Sequence, residues 1–126
     1  MENQKIIWKD RKRTLFGLPL SFTKYSLEED RLFIETGFFN SVENEVRLYR
    51  IMDLQLSRTL GQKMFGLGTI KVKSADKTLG DFEIKNIKNS KEVKEQLSKL
   101  VEEMRDRKRV VNRELMMEDD EELMDE

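Results

Sequence analysis

Lys9-Asp10-Arg11-Lys12-Arg13, with Trp8 before it and Leu15-Phe16 after it, is the densest group of chemically active side chains in this sequence. Cations interleaved with aromatic rings suit contact with phosphates or anionic lipid headgroups, each Lys or Arg near such a surface contributing about 1 kcal/mol. The plainer reading is a solvated N-terminal connection whose charges answer acids elsewhere in the chain. Lys71, Lys73, Lys77, Lys85, Lys88 and Lys91 form a second basic set. Strand alternation puts several of them on one outward surface, where lysine also discourages sheet-to-sheet association. The candidate anion- or lipid-binding residues are therefore Trp8, Lys9, Arg11, Lys12, Arg13, Lys71, Lys73 and Lys85.

At the other end of the chain, Leu115, Met116, Met117, Leu123 and Met124 stand among eight acidic residues. An acidic segment that carries adaptable methionines suits docking on a basic groove, in the same copy or another. With Met104 and Val111, which continue the apolar spacing of the preceding segment, these are the candidate residues for oligomer or partner contact. The plainer reading is a solubilising end. The 126 residues hold 24 Lys and Arg against 25 Asp and Glu, a net charge of −1. That sum hides a split: residues 112–126 carry a net −7, and the rest of the chain carries +6.

Other chemistry is excluded or weak. There is no His and no Cys, which removes imidazole bases, thiolate nucleophiles, zinc sites and disulfides. Asp53, near Arg47 and Arg50, is the best candidate for a buried ion pair, and structural pairing outweighs catalysis there. Gly66-Leu67-Gly68 lacks the Gly-Lys-Ser/Thr of a phosphate loop and precedes a strand. The acidic end lacks the spacing of a calcium loop. No catalytic pair, metal site or cofactor is indicated, and the balanced composition does not point to nucleic acid. No apolar run reaches the roughly 18 residues of a spanning helix. Met1 to Ile7 does not read as a secretory signal, so the expected compartment is the cytoplasm.

The elements that must position these residues follow from period. Phe22–Leu27 and Arg31–Thr36 alternate and flank Glu28-Glu29-Asp30, which predicts a hairpin. Glu45–Tyr49 and Met52–Ser57 predict two more strands. Leu60–Gly68 predicts a tight connection with one possible helical turn. Thr69–Lys73 and Asp81–Lys85 predict a second hairpin around a turn at Ala75–Gly80. A seventh strand is expected near Ile6–Trp8 or Thr14–Leu18, and Pro19 stands where a missing amide hydrogen does little harm. Val93, Leu97, Leu100, Val101 and Met104 recur at helical spacing, which predicts one amphipathic helix over about residues 90–109. The pattern describes an antiparallel barrel or sandwich plugged by a helix. One domain is expected at 1–110, followed by an acidic extension at 111–126 that is helical or disordered.

Tyr25-Ser26-Leu27, Asp30-Arg31-Leu32-Phe33-Ile34, Gly37, Leu48-Tyr49-Arg50-Ile51-Met52-Asp53-Leu54 and Phe65-Gly66-Leu67-Gly68-Thr69-Ile70-Lys71-Val72 fall in an order that resembles the bacterial pleckstrin-homology (PH) domains. The resemblance covers about residues 5–107. It implies a mainly β fold with a C-terminal helix: a partly open antiparallel barrel of two near-orthogonal sheets, about seven strands in all, capped by the helix. It also implies a non-enzymatic module, and symmetric oligomers occur among such domains. Protein binding or self-association through the helix and acidic end is the expected function, with peripheral binding to anionic lipid as the alternative. Eukaryotic phosphoinositide-binding members place Lys and Arg in the first hairpin loop, whereas the first hairpin expected here turns through three carboxylates.

Overall fold

The structure, a computed structural model, describes residues 6–13, 22–37 and 39–124, with side chains described as far as Met117. The segment with Leu15, Phe16, Pro19 and the alternative strand at Thr14–Leu18 lies outside the described residues, as do the side chains of Leu123 and Met124.

Among the described residues, seven strands form two antiparallel sheets. The first holds β1 (Ile6–Arg11), β2 (Lys24–Glu28), β3 (Arg31–Thr36) and β4 (Val42–Arg47), in that order. The second holds β5 (Ile51–Ser57), β6 (Leu67–Ser74) and β7 (Phe82–Lys88). A 3-10 turn at Leu48–Arg50 carries the chain from one sheet to the other, where sequence alternation extends β4 through Tyr49. The turn is fixed by the Leu48 N–H, which donates to the Asp30 carbonyl at 3.0 Å. Between β5 and β6 lies the one-turn helix α1 (Leu60–Met64), and after β7 comes α2 (Ser90–Met124).

The strand at Ile6–Arg11 changes how the loops are read. Because β1 pairs with β2 (Trp8 opposite Leu27, Asp10 opposite Tyr25), the first hairpin connection lies between Arg11 and Lys24. Lys12 and Arg13 follow β1 directly, and Glu28-Glu29-Asp30 stands at the second connection, between β2 and β3. The three carboxylates therefore do not occupy the place from which they would repel a phosphate.

Inward residues of both sheets meet the helix in one core. Leu27, Leu32, Val46, Leu48, Ile51, Ile70, Val72, Ile84 and Ile87 are buried with Val93, Leu97, Val101 and Met104 of α2. The sheets are also joined by a polar contact. Trp8 stacks on Tyr25 at 6.5 Å between centroids, and the Tyr25 hydroxyl accepts the Lys85 N–H of β7 at 3.0 Å. Burial raises the Tyr25 phenol pKa above its ordinary 10.0, so the neutral form that packs here is the stable one.

The helix expected over about residues 90–109 and the helical alternative for the extension form one element: α2 runs unbroken for 35 residues, about 50 Å. No Gly or Pro falls between Ser90 and Met124 to stop it. Toward its C-terminal half it touches the body through the Arg107–Glu29 ion pair at 3.3 Å and the Lys108 ammonium over the Tyr49 ring at 4.9 Å. From Asp106 to Met117 every residue is exposed.

Candidate functional site

Strand alternation divides the N-terminal basic cluster. Trp8 turns inward onto Tyr25 and packs against the core, which corrects its expected place in an anion-binding surface. Asp10 is held by three donors: the Arg11 N–H at 2.7 Å, Arg13 Nη2 at 3.2 Å and the Lys88 N–H at 3.3 Å. Only Lys9 and Arg11 take the outer face of the first sheet. There they share an open concavity of about 610 Å³ with Lys24, Phe33, Glu35 and Glu43. One row across the sheet runs Arg11, Lys24, Glu35, Glu43, so two cations are followed by two carboxylates. The face is mixed in charge.

The lysines of the second sheet are placed similarly. Lys71 stands between Gln55 and Glu83, and Lys73 stands opposite Asp53. Lys85 pairs with Glu83 at 3.6 Å. Each outward cation thus has a carboxylate in its own or the neighbouring strand, and no broad electropositive sheet face forms among the described residues. Asp53 is exposed and accepts the Leu54 N–H at 2.9 Å. The expected pairing of Asp53 with Arg47 and Arg50 does not occur. Arg50 instead reaches Asp76 at 3.5 Å, and Arg47, at the end of β4, reaches Asp30 at 3.6 Å.

Asp30 anchors the corner of the molecule where α2 leaves the body. Arg31 grips it through Nε at 3.0 Å and Nη2 at 3.1 Å. That bidentate bond, chiefly, lowers the Asp30 pKa below its ordinary 3.8. A depressed carboxyl stabilises the fold above its unfolded pKa, and the contribution is lost as pH falls through the folded value. Asp30→Asn is therefore expected to cost less than about 1 kcal/mol at neutral pH, since the pair is partly in water. Urea unfolding of parent and variant should converge below the ordinary carboxylate range.

The residues expected to contact a partner fall into two groups. Met104 is buried in the core, which corrects its expected place on a free face. Val111, Leu115, Met116 and Met117 are exposed on the part of α2 beyond the last body contact. Residues 97, 101, 104, 108, 111 and 115 alternate four and three apart, so Val111 and Leu115 continue the stripe by which α2 enters the core. Lys108 interrupts it where Tyr49 lies.

One surface was not anticipated. Thr59 and Gln62 form a reciprocal capping box, Thr59 Oγ1 accepting the Gln62 N–H at 3.1 Å and Gln62 Oε1 accepting the Thr59 N–H at 2.9 Å. Gln62 Nε2 also donates to Asn86 Oδ1 at 2.7 Å and Thr69 Oγ1 at 2.9 Å, which ties α1 to the second sheet. Leu60 and Met64 lie on the opposite side of the turn and are 77% and 75% exposed. α1 is the helical turn expected within Leu60–Gly68, and the Thr-x-x-Gln spacing is the signal for where it starts.

The family model for the bacterial PH domain matches residues 16–101. The chain belongs to that family. No curated protein and no solved structure matches it. Two antiparallel sheets and a C-terminal helix are the PH-like architecture, here without closure into a barrel. Bacterial PH membership suggests a non-catalytic module. In this PH domain the match stops at Val101, so the exposed half of α2 lies beyond it. No helix of the described residues is long and apolar enough to cross a membrane.

Proposed function

We propose that this bacterial PH domain is a non-catalytic interaction module that pairs with a second copy of itself through the C-terminal half of α2, the two helices running antiparallel. The observation that carries this reading is the stripe at Val111 and Leu115. It continues the core-facing line of α2 yet is 50% and 55% exposed. A solitary helix gains little from propensity, and in proteins most helical stability comes from burying an apolar face.

Charge favours a second copy as the occupant and antiparallel as the direction. Arg105, Arg107, Lys108, Arg109 and Arg113 make one stretch of α2 basic, and the chain from Glu114 onward is acidic. Antiparallel pairing sets each basic stretch beside the other copy's acidic stretch. Parallel pairing sets like charges together.

Sedimentation velocity tests this. The full chain is expected to show a concentration-dependent dimer at about 100 µM, and Val111→Glu with Leu115→Glu is expected to sediment as a monomer throughout. A parent chain that stays monomeric over that range would remove the reading.

A further inference from the structure

We propose that the end of the molecule formed by α1 and the start of α2 is a docking tip for an anionic lipid bilayer, with Leu60 and Met64 as apolar anchors and Arg58, Lys63, Lys88 and Lys91 as the basic rim. This goes beyond self-association and uses none of its residues.

Three segments meet at this end. The Arg13 N–H donates to the Asn86 carbonyl at 2.9 Å, Gln62 bonds Asn86, and Gly68 of β6 lies against Ser90 at the start of α2. Arg58 and Lys91 line one shallow hollow of about 290 Å³ with Gly66, Asn89, Ser90 and Glu92, and Glu92 is its single carboxylate. Lys88 is the register partner of Leu67, three residues after Met64. Lys63 lies on α1 itself.

The shape selects the partner. Leu60 and Met64 project from a single helical turn whose far side is fastened to the sheet by Gln62. Two side chains on a convex tip offer far less than the roughly 800 Å² that each side of a stable protein interface buries. A bilayer interface has no such requirement, because it accepts individual apolar side chains while its anionic headgroups attract the surrounding cations. The charge distribution adds direction. α2 begins at this end and carries the acidic stretch from Glu114 onward about 36 Å or more away, well beyond the Debye length of about 8 Å. A negatively charged surface therefore attracts the tip without feeling the acidic end.

The test is flotation of the full chain with phosphatidylcholine vesicles, with and without about one third phosphatidylserine. The parent is expected to float with the acidic vesicles only, and less so at high salt. Leu60→Ser with Met64→Ser is expected to weaken binding at least about tenfold. Lys63→Glu with Lys91→Glu is expected to abolish the dependence on phosphatidylserine. All four side chains are exposed, so the thermal midpoint serves as a check on folding. The Val111→Glu, Leu115→Glu chain is expected to bind as the parent does, which separates this proposal from self-association. Equal recovery from neutral and acidic vesicles, or parental binding by the serine variant, would overturn it.

Discussion

Leu97→Ala is expected to lower the unfolding free energy by about 2–5 kcal/mol, the range for emptying a leucine site in a packed core. Leu97 is 1% exposed and sits midway along the buried stripe of α2, between Val93 and Val101. Both sheets and the helix contribute to the core that receives it, so relaxation of one element cannot fill the space. Urea denaturation at a fixed protomer concentration measures the loss, and the comparison must be made at equal concentration because association would add its own stabilisation. A loss below about 1 kcal/mol would mean that α2 is held by its ends and not by its stripe.

Gly68→Ala is expected to cost about 1–3 kcal/mol, although it adds a single methyl group. The new Cβ would overlap Ser90 Oγ, lie 2.8 Å from Ser90 Cβ and lie 3.1 Å from Arg58 Cγ. Ser90 is buried at the start of α2, so the clash pushes the helix off β6 instead of turning a side chain into solvent. Ser90→Gly in the same chain removes both Ser90 contacts. A double-mutant cycle should therefore show a favourable coupling between the two substitutions. Additive losses would place the origin of the cost elsewhere.

How far the sequence prefigures this molecule depends on whether a feature is local. The strands around Leu32-Phe33-Ile34 and Ile70-Lys71-Val72 follow from period-two alternation, which is a property of neighbours. The Thr59-x-x-Gln62 helix is local as well. Trp8 is different: its inward direction depends on pairing with β2, and the sequence offered two positions for that first strand. Lys71 and Lys73 read as an electropositive face until register sets Glu83 and Asp53 beside them, and register is a relation between distant segments. Asp53 fails as an ion-pair partner for the same reason, since Arg47 and Arg50 find Asp30 and Asp76, carboxylates of segments distant in sequence. Whether the extension beyond Arg109 is helical or disordered stays open in the sequence, because its apolar spacing fades among charged residues; α2 continues through it, and no Gly or Pro interrupts the backbone there.

The direction of α2 has a geometric consequence. It starts beside α1 and runs straight away from it, so an antiparallel pair that crosses near Arg113 would be a double-headed rod with its two heads about 70 Å apart and facing opposite ways. Such a rod spans a gap between two surfaces. A parallel pair of the same helices would stand both heads on one surface, and the polarity of charge along a single helix is what decides between bridge and clamp.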